Sequence, residues 1–197
     1  MLYTYEQVEQ RILELLQKQG RIVLAIDGRC ASGKTTLANQ LQKKLGGTII
    51  HLDDFFLRPE QRTPERYAEP GGNVDYERFE KEVLIPLKEE RDFIYYPFDC
   101  RTMTIQSEPV FVENGQLILI EGSYSLLTVF RPYYDRTLFL TISQEMQLER
   151  LRKRAPEKVE MFQKKWIPLE EYYIQQMRIE EVADDVMFWK NAMCNCI

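Results

Sequence analysis

The sequence predicts an α/β fold built on a doubly wound, five-stranded parallel sheet, and three observations point there. Apolar runs without polar alternation, such as "IVLAI" at 22–26, suit strands buried on both faces. They alternate along the chain with segments of helical periodicity, as in sheets whose strands are joined by crossover helices. The chain of 197 residues, 44% hydrophobic and 29% charged, has ordinary globular composition and fits one domain, 1–197, with a full core.

Taken in order, Thr4 and Gln7 form a capping box, and Val8, Ile12, Leu15 and Leu16 fall on one helical face before Gly20 stops the helix. The first strand follows at 22–26. A helix from Lys34 to about Leu45 carries Leu37, Leu41 and Leu45 on one stripe and ends at Gly46 and Gly47. "TIIHL" at 48–52 is the second strand. Residues 54–112 are punctuated by Pro59, Pro64, Pro70, Gly71 and Gly72, with one helix expected from about Tyr76 to Lys88. That span is too long for a plain connection and reads as a functional insertion after the second strand. "QLILIEG" at 116–122 and "RTLFLTI" at 136–142 are the next strands, followed by a helix from about Gln144 to Arg154. Pro168 suits the first position of a helix over "PLEEYYIQQMRIEE", and "DDVMFW" at 184–189 is the fifth strand.

A net charge of −5 argues against a surface that neutralises many phosphates, so nucleic acid is not the expected partner. There is no apolar run long enough to span a membrane, and "MLYTYEQVEQ" lacks the basic and apolar segments of an export signal; a cytoplasmic protein is expected. Cys30, Cys100, Cys194 and Cys196 form no paired metal-ligand clusters with the single histidine, His51, and read as reduced thiols.

The stretch from Gly28 to Thr35, "GRCASGKT", fits G-x-x-x-x-G-K-[ST] between a strand and a helix, and this predicts a P-loop NTPase fold. Glycines let such a loop curl its N–H groups inward, and the helix N-terminus adds partial positive charge toward the same point. Gly28, Ala31, Ser32, Gly33, Lys34, Thr35 and Thr36 are therefore the candidate residues for ATP, with Lys34 bridging phosphates and the Thr35 hydroxyl on Mg²⁺.

Ligands of such sheets bind at the carboxyl ends of the strands, where "HLDDFF" places Asp53 and Asp54, and "LILIEG" places Glu121. One carboxylate there can hold Mg²⁺ and another can accept a proton from an attacking hydroxyl. No N-K-x-D guanine-reading sequence occurs.

On "GRCASGKTT", "DDFF", "NVDY", "IEG" and "WIPLEEYY…ADDVMF", in that order and over most of its length, the chain resembles the uridine kinase and phosphoribulokinase group of P-loop kinases, which includes nicotinamide riboside kinases. The resemblance implies that Asp53 is the catalytic base, that Thr35 and Glu121, with Asp53, hold Mg²⁺, and that Asp75 bonds ribose hydroxyls. It implies transfer of a γ-phosphoryl group to the primary hydroxyl of a nucleoside of uridine or cytidine type, in a protein able to form homo-oligomers. Arg150 and Arg154, four apart on one helix, are the expected clamp of a short helical lid at about 143–167, acting with Lys34. Tyr76, Phe98 and Arg101 are the further substrate-binding candidates. In "FDCRTM", Met103 stands where uridine kinases have a pyrimidine-reading histidine. "DDFFLRPE" is also close to nicotinamide riboside kinases, so that riboside is an alternative acceptor. A nucleotide-binding module without catalysis is the alternative from another class.

Overall fold

A computed structural model describes residues 3–188. Helix α1 (Tyr5–Gln19) opens on the Thr4/Gln7 capping box and closes on Gly20 in the left-handed region. Strand β1 (Ile22–Gly28) leads into α2 (Lys34–Leu45), then β2 (Thr48–His51). Segment 54–112 holds α3 (Pro64–Ala68), α4 (Tyr76–Phe79), α5 (Ile85–Lys88) and four short strands, β3 (Phe93–Tyr95), β4 (Phe98–Asp99), β5 (Thr104–Ile105) and β6 (Val110–Val112). After β7 (Leu117–Glu121) and β8 (Arg136–Thr141) come α6 (Gln144–Arg154), α7 (Val159–Met161), α8 (Ile167–Gln176), α9 (Ile179–Val182) and β9 (Asp185–Phe188).

The central sheet has the order β2-β7-β1-β8-β9 with every pairing parallel, so the predicted doubly wound sheet is the observed one. Alternation along β1 explains how both faces are covered. Ile22, Leu24 and Ile26 pack with Val8 and Ile12 of α1 and Leu37 and Leu41 of α2. Val23 and Ala25 face the opposite layer, with Phe79, Val83 and Leu87 of segment 76–88 and Tyr173 and Ile174 of α8. Period-two geometry sends successive apolar side chains to opposite helix layers, which is why the run shows no polar alternation.

Three expectations need correcting. Segment 54–112 is not irregular around one helix: β3 pairs with β6 and β4 with β5 as antiparallel ribbons, and strands of two or three residues are too short to leave a readable period. Pro168 does not start a helix. Helical backbone begins at Val159 and passes through a π turn (Phe162–Trp166) into α8, with Pro168 as its second residue. Segment 76–88 repeats the device, with a π turn (Glu80–Leu84) ahead of Pro86. A wider turn there accommodates a ring that has no N–H to donate. The helix expected over 168–181 also breaks at Arg178 (φ 50°), where α9 begins.

Of the fifth predicted strand, Asp185–Phe188 is observed, while Trp189, Cys194 and Cys196 lie outside the described residues. Among the described residues no helix is long and apolar enough to cross a membrane. Cys30 and Cys100 are free thiols.

Candidate active site

The loop from Gly28 to Thr35 joins the carboxyl end of central strand β1 to the first turn of α2. Gly28 is required by contact as well as conformation: at φ 150°, an added Cβ would lie 2.2 Å from the Leu140 carbonyl oxygen of β8. Ala31 (φ 60°) and Gly33 (φ 103°) are left-handed, which curls the backbone ahead of α2. Lys34, buried, folds back along this curl and donates to Gly28 O (2.7 Å), Arg29 O (3.2 Å) and Ser123 Oγ (3.1 Å).

A second layer fixes the loop from behind, and the sequence reading missed it. Asp27, at the end of β1, accepts from the backbone N–H of Gly28 (2.6 Å), Tyr124 (3.0 Å) and Leu126 (3.0 Å), and from the Tyr173 hydroxyl (2.7 Å). Burial raises the Asp27 carboxyl pKa, and these donors pull against it. Glu170 receives Cys30 N–H at 2.8 Å on both oxygens and the Ser123 hydroxyl at 2.9 Å; burial raises its pKa as well. Arg29 is bound to Glu171 (2.6 Å) and Glu180 (2.7 Å). Helix α8 thus grips the first part of the loop through Glu170 and Glu171, and the Asp27 carboxylate behind it through Tyr173. The available signal was an acid and a tyrosine three apart on a helix face that must be buried. Burial and Glu170 push the Cys30 thiol up to about 12, so it is no nucleophile at neutral pH. Tyr173→Phe is expected to cost about 2 kcal/mol, since it strips a hydrogen bond from a buried carboxylate; urea unfolding measures it.

One cavity of about 880 Å³ is lined by this loop, by segment 54–112 and by residues 150–170. Asp53 lies on its wall and accepts no hydrogen bond from the described residues, although solvent in the cavity reaches it. Crowding by the cavity walls raises its pKa; Lys34 and His51 lower it, and Glu121 and Asp54 raise it further. Its neighbour Asp54 is tied instead to the Tyr95 hydroxyl (2.8 Å), which separates the two acids of "DDFF". Gly122 leaves the room Asp53 needs: a Cβ there would stand 3.3 Å from Asp53 Oδ1 and 2.8 Å from Leu52 Cβ. Thr35 Oγ1 donates to both Glu121 oxygens at 3.1 Å, and His51 Nδ1 meets Glu121 Oε1 at 2.6 Å, which raises the histidine pKa. Among the described residues no group of three or more His, Cys, Asp and Glu is arranged to hold a metal. A hydroxyl facing a carboxylate is nevertheless the hard-oxygen pair that suits Mg²⁺ bound mainly through phosphate and water.

Of the predicted nucleotide residues, Ala31, Gly33, Lys34, Thr35 and Thr36 line the cavity, whereas Gly28 and Ser32 do not; Ser32 is fully buried, its hydroxyl unbonded. Arg150 and Arg154 both line it, Arg150 donating to the Ala31 (3.0 Å) and Ser32 (3.1 Å) carbonyls. The four other substrate candidates stand off the lining. Asp75 caps α4 through Arg78 N–H (3.2 Å) and keeps its Oδ2 buried without a hydrogen bond. Tyr76 lies under the Arg66 guanidinium and donates to Glu69 (3.1 Å). Phe98 is core, and Arg101 is exposed, paired with Asp99 (3.2 Å). The wall from segment 54–112 is made instead by Phe56, Arg62, Tyr67, Asn73, Cys100 and Met103.

Comparison with known proteins agrees with this geometry. Uridine-cytidine kinase D of Dictyostelium discoideum is 31% identical over 134 residues, which cover 66% of this chain and 26% of that protein. A possible uridine kinase from Bacillus stearothermophilus superposes with a TM-score of 0.69 at 26% identity, over 93% of this chain and 96% of that one. By these matches the chain resembles the uridine kinase-like group of P-loop kinases. Nicotinamide riboside kinase 1 of Homo sapiens, of the same group, is 32% identical over 127 residues, 62% of this chain and 60% of that protein. The chain therefore spans about a quarter of the first curated relative and three-fifths of the second. No protein-family model matches it.

Proposed function

We propose that this chain transfers the γ-phosphoryl group of ATP to the primary hydroxyl of a small riboside of uridine or cytidine type. The observation that carries the reading is Asp53, a carboxylate without a hydrogen-bond partner among the described residues, in a cavity shared by the phosphate loop and segment 54–112. It lines this cavity together with Lys34 and Cys100. An unbonded carboxylate there suits accepting a proton from an attacking hydroxyl, and its raised pKa makes it a better base.

Lys34 has three N–H donors, now spent on two loop carbonyls and the Ser123 hydroxyl, and exchanges them for phosphate oxygens when nucleotide enters. Arg150 and Arg154 offer planar forks to the moving phosphoryl group, and segment 143–167 acts as the lid that excludes water. Thr35 and Glu121, with Asp53, would hold Mg²⁺, which when bound neutralises phosphate charge. Asp75 is retained for the ribose hydroxyls: its Oδ2 is buried and makes no hydrogen bond, though Arg78 Nε stands 3.8 Å and Arg58 Nε 4.0 Å away, and it lies two residues beyond the cavity-lining Asn73.

Nicotinamide riboside is the second reading. It is supported by the 32% identity to a kinase named for that riboside and by Met103 on the cavity wall, where a pyrimidine-reading histidine would stand. An ADP-release assay with nucleosides, nicotinamide riboside, pantothenate and simple sugars tests both. Mg²⁺-dependent turnover of a riboside is expected. Tight ATP binding with no turnover of any acceptor would favour a nucleotide-binding module.

A further inference from the structure

Segment 54–112 contains six arginines, at 58, 62, 66, 78, 91 and 101. Five have a carboxylate partner: Arg58 with Glu60 (3.3 Å), Arg66 with Glu77 (2.7 Å), Arg78 with Glu82 (3.2 Å), Arg91 with Glu89 (2.6 Å) and Arg101 with Asp99 (3.2 Å). Arg62 has none among the described residues, and it alone of the six lines the cavity.

Its guanidinium is held in place all the same. Nε and Nη2 both donate to the Leu57 carbonyl, at 2.9 and 2.8 Å, and the guanidinium carbon lies 5.8 Å from the centre of the Phe98 ring. A guanidinium has five N–H donors, so this anchoring leaves an edge unspent while fixing its direction. Half-buried and already ordered, it would lose little further freedom on meeting a ligand oxygen.

The same wall carries Cys100 and Met103, and Cys100 is within electrostatic reach of both Arg62 and Asp53. Met103 is itself fixed in a left-handed conformation (φ 60°), with its N–H on the Asp99 carbonyl at 2.7 Å. An oriented cation therefore stands on the wall of the cavity that Asp53 also lines, with no carboxylate ion-paired to it among the described residues.

We propose that Arg62 determines acceptor specificity: its guanidinium pairs with a carbonyl or carboxylate oxygen on the acceptor's non-reacting end and turns away acceptors with a net positive ring. The inference rests on the kinase reading and narrows it, favouring neutral or anionic ribosides over cationic ones. A site built to donate hydrogen bonds discriminates strongly against a partner that cannot accept them, and like charge adds repulsion.

The test is a pair of acceptors differing only at one group: nicotinamide riboside, and the same riboside with a carboxylate in place of the carboxamide. The wild type is expected to prefer the carboxylate by at least about tenfold in kcat/KM. Arg62→Gln should bring the two within about threefold by raising KM for the carboxylate riboside, with KM for ATP unchanged, and Arg62→Lys should restore part of the preference. Equal use of both ribosides by the wild type overturns the proposal, as does an Arg62→Gln effect confined to KM for ATP. The wild-type preference decides the matter even where the loss of the Leu57 contacts unfolds Arg62→Gln. If neither riboside is turned over while uridine or cytidine is, only the nicotinamide riboside reading falls; if no riboside of the panel is turned over, the kinase reading is in question. Calorimetric binding to wild type and Arg62→Gln then still decides the inference: tighter wild-type binding of the carboxylate riboside supports it, and equal or absent binding ends it.

Discussion

Asp53→Asn lowers kcat by about 10³-fold, the range expected for loss of a general base, and leaves the thermal midpoint unchanged or raised. Both halves of this expectation come from one observation. The Asp53 carboxylate accepts no hydrogen bond from the described residues, and crowding by the cavity walls raises its pKa, so the ionised form is disfavoured where it stands. An asparagine of the same shape removes that unfavourable charge from the fold and the proton acceptor from the chemistry. Single-turnover kinetics beside a melting curve measures the two together. A catalytic loss accompanied by an equal loss of stability would point to a merely structural aspartate.

Lys34→Ala is expected to reduce kcat/KM for ATP by about 10³-fold, equivalent to about 4 kcal/mol of transition-state stabilisation. Its effect on the fold is smaller. The ammonium group donates to two loop carbonyls and to Ser123, but Ser123 keeps Glu170, and the loop keeps its ties from Glu170 to Cys30 and from Asp27 to Gly28. About 1–2 kcal/mol of stability should be lost, as for a few partly redundant hydrogen bonds. Urea unfolding and initial-rate kinetics on the same variant separate the two figures.

Much of the fold was legible because its information is local. The apolar strands β1, β7 and β8 announce themselves by composition, and the loop at 28–35 by spacing. The acids at 53 and 121 announce themselves by falling at strand ends. What was illegible depends on contacts between distant residues. Glu170 reaches Cys30 across 140 positions and Tyr173 reaches Asp27 across 146, and no spacing rule connects them. The ribbons β3/β6 and β4/β5 are too short for periodicity, and the π turns before Pro86 and Pro168 rest on backbone geometry that side-chain patterns do not encode. The acceptor wall was the hardest part. Phe98 and Arg101 were expected on it, but the cavity lining there is Cys100 and Met103, because the β4/β5 ribbon tucks Phe98 into the core and leaves Arg101 outside.

Phosphorus NMR of the reaction mixture decides whether the phosphoryl group ends on an acceptor hydroxyl. With ATP, Mg²⁺ and the best riboside of the panel, a new phosphomonoester resonance is expected, coupled to the acceptor's CH₂ protons and growing in step with ADP. ADP accompanied only by inorganic phosphate, or ATP bound and unconsumed, would contradict it.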